Sequence, residues 1–214
     1  MTWPPFFDII LIEMEKEWRK KMDHRTDKLI LVDCDGVLLD WKYAFYKWMA
    51  ENNYKIVKEG VYDVAETFGI TKEQSKQLVR QFNESARIGF LPGLRDAIKY
   101  VKKLHSEGYI FHCITSLSTD YYAGKLREQN LEKLFGYGVF EKIVCLDCGA
   151  DKDDGLLPYK DSGCIWVEDK PKNAELGVEY GLRSVLIEHL FNANFSHPEI
   201  QKVKNWKEIY ESIV

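Results

Sequence analysis

The chain has 214 residues, 45% of them hydrophobic and 30% charged, with a net charge of −4 and a pI near 5.8. That length can bury one substantial core with a small appended domain, and it falls short of two full domains. The acidic balance gives no global attraction to nucleic acid or to an anionic membrane, so neither a polynucleotide nor a membrane partner is expected. Five cysteines, an odd number, point to reduced thiols and a cytoplasmic setting.

In chain order, the apolar run Phe6 to Ile12 superficially suggests a signal sequence, but Asp8 interrupts it and no basic region precedes it. Met14 and Trp18 continue its apolar side through Glu13 to Lys21, so residues 3 to 22 read as an amphipathic helix and 1–27 as a segment packed on the core. A strand follows at 28–33, then Asp33-Cys34-Asp35-Gly36-Val37. Side chains two apart on a strand point the same way. Two carboxylates that close raise each other's pKa unless a cation sits between them, which predicts a bound divalent metal or a shared proton. Gly36 suits a sharp turn, and taken alone the stretch also suits a strand ending in an Asp-Gly turn.

Residues 41–91 carry a helical pattern. Trp41, Tyr43, Phe45, Tyr46 and Trp48 crowd its first helix, where most such aromatics are core, although an aromatic face can stack on a nucleobase. Pro92-Gly93 marks the return to a second run of strands. The one at 109–114 ends in Thr115-Ser116, a hydroxyl and N–H group able to cradle an anion or simply to turn. The one at 142–146 leads into Gly149-Ala150-Asp151-Lys152-Asp153. Cys145-Leu146-Asp147-Cys148 has the spacing of half a zinc site, without a second pair to complete four ligands. The strand at 164–168 ends in Glu168-Asp169, and Pro171 falls in the first turn of the next helix. Gly181, a strand at 184–187, the polar loop Phe191-Asn192-Ala193-Asn194 and a helix near 203–213 close the sequence. Strands alternating with helical patterns predict an α/β fold, a parallel sheet with helices on both faces and active loops at the carboxyl ends of its strands.

Asp33 to Val37, Thr115-Ser116, a lysine at Lys152 or Lys160, and Glu168-Asp169, in that order, resemble the signature of the haloacid dehalogenase superfamily, and the chain resembles its phosphatases over 28–40 and 92–190. The resemblance implies a Rossmann-like core, 28–40 and 92–214, with a small α-helical cap at 41–91. It implies Asp33 as nucleophile carrying an aspartyl-phosphate, Asp35 as general acid and base, Thr115 and Ser116 as the phosphoryl cradle, and Lys152 ahead of Lys160 as the phosphate lysine. It further implies Mg²⁺ held by Asp33, the Asp35 carbonyl and the Glu168-Asp169 pair, Asp169 foremost.

The chemistry agrees with these roles. A carboxylate is ionised at pH 7 and needs no base, whereas attack on a phosphate dianion needs charge neutralisation. An acid at the second position suits phosphoryl transfer, in which an alkoxide must be protonated as it leaves. The run Asp33 to Trp41 resembles the 5'(3')-deoxyribonucleotidase branch, in which an aromatic at the position of Trp41 stacks on the base. Mg²⁺-dependent hydrolysis of a small phosphorylated substrate, first of all a nucleoside monophosphate, is the expected activity. Glu168-Asp169 stands where that branch usually has Asp-Asp, which keeps a sugar-phosphate phosphatase or phosphomutase open, alongside a phosphate-binding protein without turnover.

Overall fold

Six parallel strands in the order β3-β2-β1-β4-β5-β6 form the centre of the computed structural model, which describes residues 27–214. The amino-terminal helix read from the sequence lies outside the described residues. The strands are β1 (Leu29–Val32), β2 (Ile110–Ser116), β3 (Phe140–Leu146), β4 (Ile165–Glu168), β5 (Arg183–Ile187) and β6 (Gln201–Val203). β1 is buried along its whole length, with Ile30, Leu31 and Val32 fully inaccessible. Each such side chain contributes about 1.5–3 kcal/mol by leaving water, which is why this continuous apolar run forms the middle of a two-sided sheet. β1 pairs with β2 on one side and β4 on the other, so the strand order reverses at β1. Open α/β sheets bind ligands at that crevice, beyond the carboxyl ends of the strands.

Helices α1 (Trp41–Glu51), α2 (Val64–Phe68) and α3 (Lys72–Asn83), with a 3-10 turn at Ala86–Phe90, occupy the segment after β1, and 52–63 contains no helix. Asp40 caps α1, Asp63 caps α2, and Thr71 with Gln74 forms a capping box on α3. Phe45, Trp48, Phe68 and Phe82 pack their rings together, which gives these short helices a common core. The chain then runs through α4 (Ala97–Ser106), α5 (Tyr121–Phe135), α6 (Asp153–Leu156), α7 (Pro171–Glu179) and α8 (Trp206–Ile213). Trp206 donates its indole N–H to the Val37 carbonyl at 2.9 Å, so the last helix pins the loop that leaves β1.

Five strands fall where the hydrophobic runs place them. β6 does not: Gln201-Lys202-Val203 has no apolar run, and Val203, read as the start of the final helix, is instead paired with Ile187 of β5, the helix beginning at Trp206. No helix of the described residues is long and apolar enough to cross a membrane.

Candidate active site

Asp33 follows β1 directly, its backbone N–H held by the Val167 carbonyl at 2.9 Å. The chain then turns tightly: the N–H groups of Leu38 and Leu39 donate to the Cys34 carbonyl at 2.8 and 2.9 Å. Gly36 sits at φ +82°, and a Cβ there would lie 2.1 Å from Asp169 Oδ2. Only glycine fits, because both the conformation and the space exclude a side chain. The turn brings the β1 loop against the Asp169 carboxylate at the end of β4.

Three carboxylates converge at this corner. One oxygen from each of Asp33, Glu168 and Asp169 lies within 4.8 Å of the others, and all three residues are buried. Glu168 is fully inaccessible. Its Oε1 accepts from the N–H groups of Asp169 and Lys170 at 3.1 and 3.0 Å, and its Oε2 accepts from the Asn173 amide at 3.3 Å. Burial, reinforced by Asp33, pushes its carboxyl up to about 7. Burial, with Glu168 and Asp33 beside it, likewise holds the Asp169 carboxyl well above the aspartate range. Carboxylates so crowded call for a positive charge, and hard oxygen donors suit a hard divalent cation such as Mg²⁺. The donor set thus fits the metal that the motifs imply.

Lys152 comes from the loop after β3 and is 2% exposed. Its Nζ donates to Asp33 Oδ1 at 2.7 Å and to the Ile114 carbonyl at 2.7 Å. Burial opposes its charge, but Asp33 and Glu168 outweigh burial and raise its pKa. Lys160 does not reach this place. It is exposed, with its ammonium over the Tyr180 ring at 5.7 Å. The lysine pair left open by the sequence is thereby separated in space.

The Asp35 carboxylate has a partner that the sequence reading did not name. Its two oxygens accept from Arg127 Nη1 and Nη2 at 2.5 and 2.9 Å, while Asp33 is held by Lys152, so each carboxylate has its own partner. Burial raises the Asp35 carboxyl above its ordinary value, and Arg127 pulls the other way. Arg127 is fully buried on α5 and also donates to Cys34 Sγ at 2.8 Å. The sequence reading missed it. Its signal was an arginine on the buried stripe Ala123, Arg127, Asn130, Leu131, Phe135, a place where an unpaired charge is not tolerated.

Thr115 and Ser116 end β2 and line the same cavity. Thr115 Oγ1 is buried and has no hydrogen-bond partner among the described residues, in a cavity it shares with the acidic corner. Ser116 Oγ instead donates to the Ala150 carbonyl at 2.8 Å, tying down the loop that delivers Lys152. The cavity has a volume of about 900 Å³ and runs from these groups to α1 and α3. Trp41 lines it, its ring stacked on Phe45 at 4.5 Å and 11° and its indole N–H donated to Asn83 Oδ1 at 2.9 Å. Phe82 stands perpendicular to both rings, 5.7 Å from Trp41 and 5.3 Å from Phe45. It therefore flanks the stack, and Phe45 covers one face of the Trp41 ring. Of the five aromatics on α1, Phe45 and Trp48 are buried while Tyr43 is 59% exposed. Across the opening, Tyr62 meets the Phe191 ring at 5.1 Å, and Phe191 stacks on His189, whose Nε2 lies 2.7 Å from the Gly36 carbonyl.

Neither a protein-family profile nor a curated protein matches the chain. Solved structures do. A HAD-superfamily hydrolase from Ehrlichia chaffeensis matches at 12% identity and TM-score 0.52, over 88% of this chain and 96% of its own. CbbY from Rhodobacter sphaeroides, solved with phosphate, matches at 14% and 0.58, over 85% and 96%. D,D-heptose 1,7-bisphosphate phosphatase from B. bronchiseptica, solved with magnesium and phosphate, matches at 12% and 0.56, over 87% and 97%. The fold is that of the haloacid dehalogenase hydrolases, an α/β Rossmann-like sheet with helices on both faces.

Proposed function

We propose that the protein is a phosphomonoester hydrolase working through an aspartyl-phosphate on Asp33. The observation that carries the reading is the convergence of Lys152 and the Asp33, Glu168, Asp169 cluster on one carboxylate at the end of β1. Lys152 holds Oδ1 of Asp33 and leaves Oδ2 as the attacking oxygen. Oδ2 forms a bond to phosphorus as the ester P–O bond breaks, and the leaving alkoxide takes a proton from Asp35. Water then attacks the acyl-phosphate, Asp35 receives its proton, and inorganic phosphate leaves with Asp33 restored. Thr115 Oγ1 supplies an unused hydroxyl to a phosphoryl oxygen, and Lys152 balances part of the charge that develops. Asp33, Asp169 and Glu168, with the Asp35 carbonyl, would hold Mg²⁺, which when bound neutralises phosphoryl oxygens.

Because both Asp35 oxygens are engaged by Arg127, its turn as proton donor requires one of those bonds to loosen. Arg127 is thus a positioning residue for the acid.

Within this class a nucleoside monophosphate is the preferred substrate, supported by the cavity-lining Trp41 held rigid by Phe45 and Asn83. A sugar phosphate is the second reading, supported by the likeness to the heptose bisphosphate phosphatase. The deciding experiment is phosphate release, with and without Mg²⁺, from nucleoside monophosphates, sugar phosphates and an aryl phosphate, with Asp33→Asn as the blank. Release lost in the blank supports the mechanism, and the substrate ranking chooses between the readings. Appreciable turnover by Asp33→Asn would end the aspartyl-phosphate proposal.

A further inference from the structure

The cavity wall formed by α3 carries a charge pattern that the phosphate chemistry does not use. Lys72, Ser75, Lys76, Val79 and Asn83 line the cavity, the spacing of one helical stripe. The Asn83 end is anchored deep, its amide donating to the Leu117 carbonyl at 2.9 Å just beyond Thr115 and Ser116. At the rise of an α-helix, Lys76 and Lys72 stand roughly 10 and 16 Å along the wall from that anchor. Lys47 of α1 lines the same cavity.

These cations sit where local physics disfavours them. Lys72 is the first residue of α3, next to the positive end of the helix dipole. Lys76 follows four residues later and Arg80 four after that, and like charges at this spacing destabilise a helix. Arg80 is relieved by Asp147 and Glu84, at 2.9 and 3.2 Å. Among the described residues no ion pair engages Lys47, Lys72 or Lys76. Asp40 and Asp63 line the same cavity and cap their helices, Asp40 Oδ1 accepting from the Tyr43 N–H at 3.1 Å and Asp63 Oδ1 from the Ala65 N–H at 2.7 Å, and neither they nor Glu73 in the first turn of α3 form an ion pair with these lysines. A chain of net charge −4 has thus gathered, on one wall of this cavity, lysines that no ion pair engages among the described residues. Choices that break local rules are expected at functional positions.

We infer that this wall is a subsite for a second anion, so that a phosphate ester bearing a further phosphate or carboxylate remote from the reacting phosphorus is a better substrate than its counterpart with one anion. The inference rests on the phosphohydrolase reading and narrows its substrate class. One phosphate cannot serve both places, since the deep end of the wall is tied at Asn83 to Leu117, just past Thr115 and Ser116, and Lys76 stands roughly 10 Å along the helix from Asn83.

The test compares the full chain with Lys72→Gln/Lys76→Gln on matched substrates: a nucleoside 5'-monophosphate against the 3',5'-bisphosphate, a sugar monophosphate against a sugar bisphosphate, and a phosphorylated carboxylic acid against its amide. In the parent, the member with two anions should lead in kcat/KM by about tenfold or more, and the variant should lose that lead through KM. Which pair shows the lead tells phosphate from carboxylate. The variant should melt at the same or a higher temperature, because two misplaced cations are gone. No lead in the parent, or a lead that survives in the variant, overturns the subsite. If the parent hydrolyses no ester at all, the phosphohydrolase reading has failed instead. Calorimetric binding of the bisphosphate then still decides, a loss of about tenfold in the variant supporting the subsite and equal affinity overturning it.

Discussion

Arg127→Met and Asp35→Asn, made singly and together, test whether the proposed acid is also a structural member of the fold. Removing one partner of a buried ion pair costs about 3–5 kcal/mol, because the other charge is left uncompensated. The two sides differ here: Arg127 is 0% exposed while the Asp35 side chain is 22% exposed. Asp35→Asn strands a fully buried guanidinium whose Nε already lacks a partner, so it should cost near the upper figure, about 5 kcal/mol. Arg127→Met leaves a carboxyl that opens on the cavity and that burial already shifts toward its neutral form, so about 3 kcal/mol is expected. The double variant leaves no stranded charge and should be more stable than either single one. Urea denaturation at neutral pH without divalent metal measures all three. Loss of an active-site carboxylate commonly stabilises a protein. If Asp35→Asn proves as stable as the parent, or if the two costs simply add, the pair is not what holds α5 against the β1 loop.

Three further outcomes follow from the same geometry. Mg²⁺ should raise the melting temperature, by the equivalent of about 2.7 kcal/mol at a hundred times its Kd, and Asp169→Asn should lose that rise; an equal rise in the variant would remove Asp169 from the metal site. Trp41→Ala should lower kcat/KM for a nucleotide by about 1–3 kcal/mol in the activation barrier relative to an aryl phosphate, and an unchanged ratio would exclude base stacking. Burial lowers the His189 pKa below 6.5, so the unfolded chain holds the extra proton first; stability is full above pH 6.5 and declines as pH falls from there through the folded value. His189→Asn should flatten that limb in thermal melts, and an unaltered profile would assign the decline to other groups.

The sheet was legible because parallel strands buried on both faces read as apolar runs, and Asp33, Thr115 and Glu168-Asp169 stood out by following such runs, whereas Lys152 and Lys160 could be told apart only in space. β6 was hidden because three residues with two polar side chains carry no period. Asp33 and Asp35 line one cavity, but the separate cation that each carboxylate meets could not be read from their spacing. Arg127 lies 92 residues from Asp35, a separation across which no local pattern reaches. The lysine row of α3 became informative only once the helix was seen to line a cavity.

An open sheet ends in two strands with unpaired backbone groups, which are templates for pairing with another chain. Both are guarded here. β6 is three residues long, and Lys202 folds its ammonium onto the carbonyls of Asn192 and Phe195 at 3.4 and 3.0 Å. β3 is longer, but Glu141 and Lys142 place exposed charges of both signs along it. Strand addition at either rim would bring those charges against the incoming backbone, so the sheet resists growing into a larger one and should keep the chain from aggregating edge to edge.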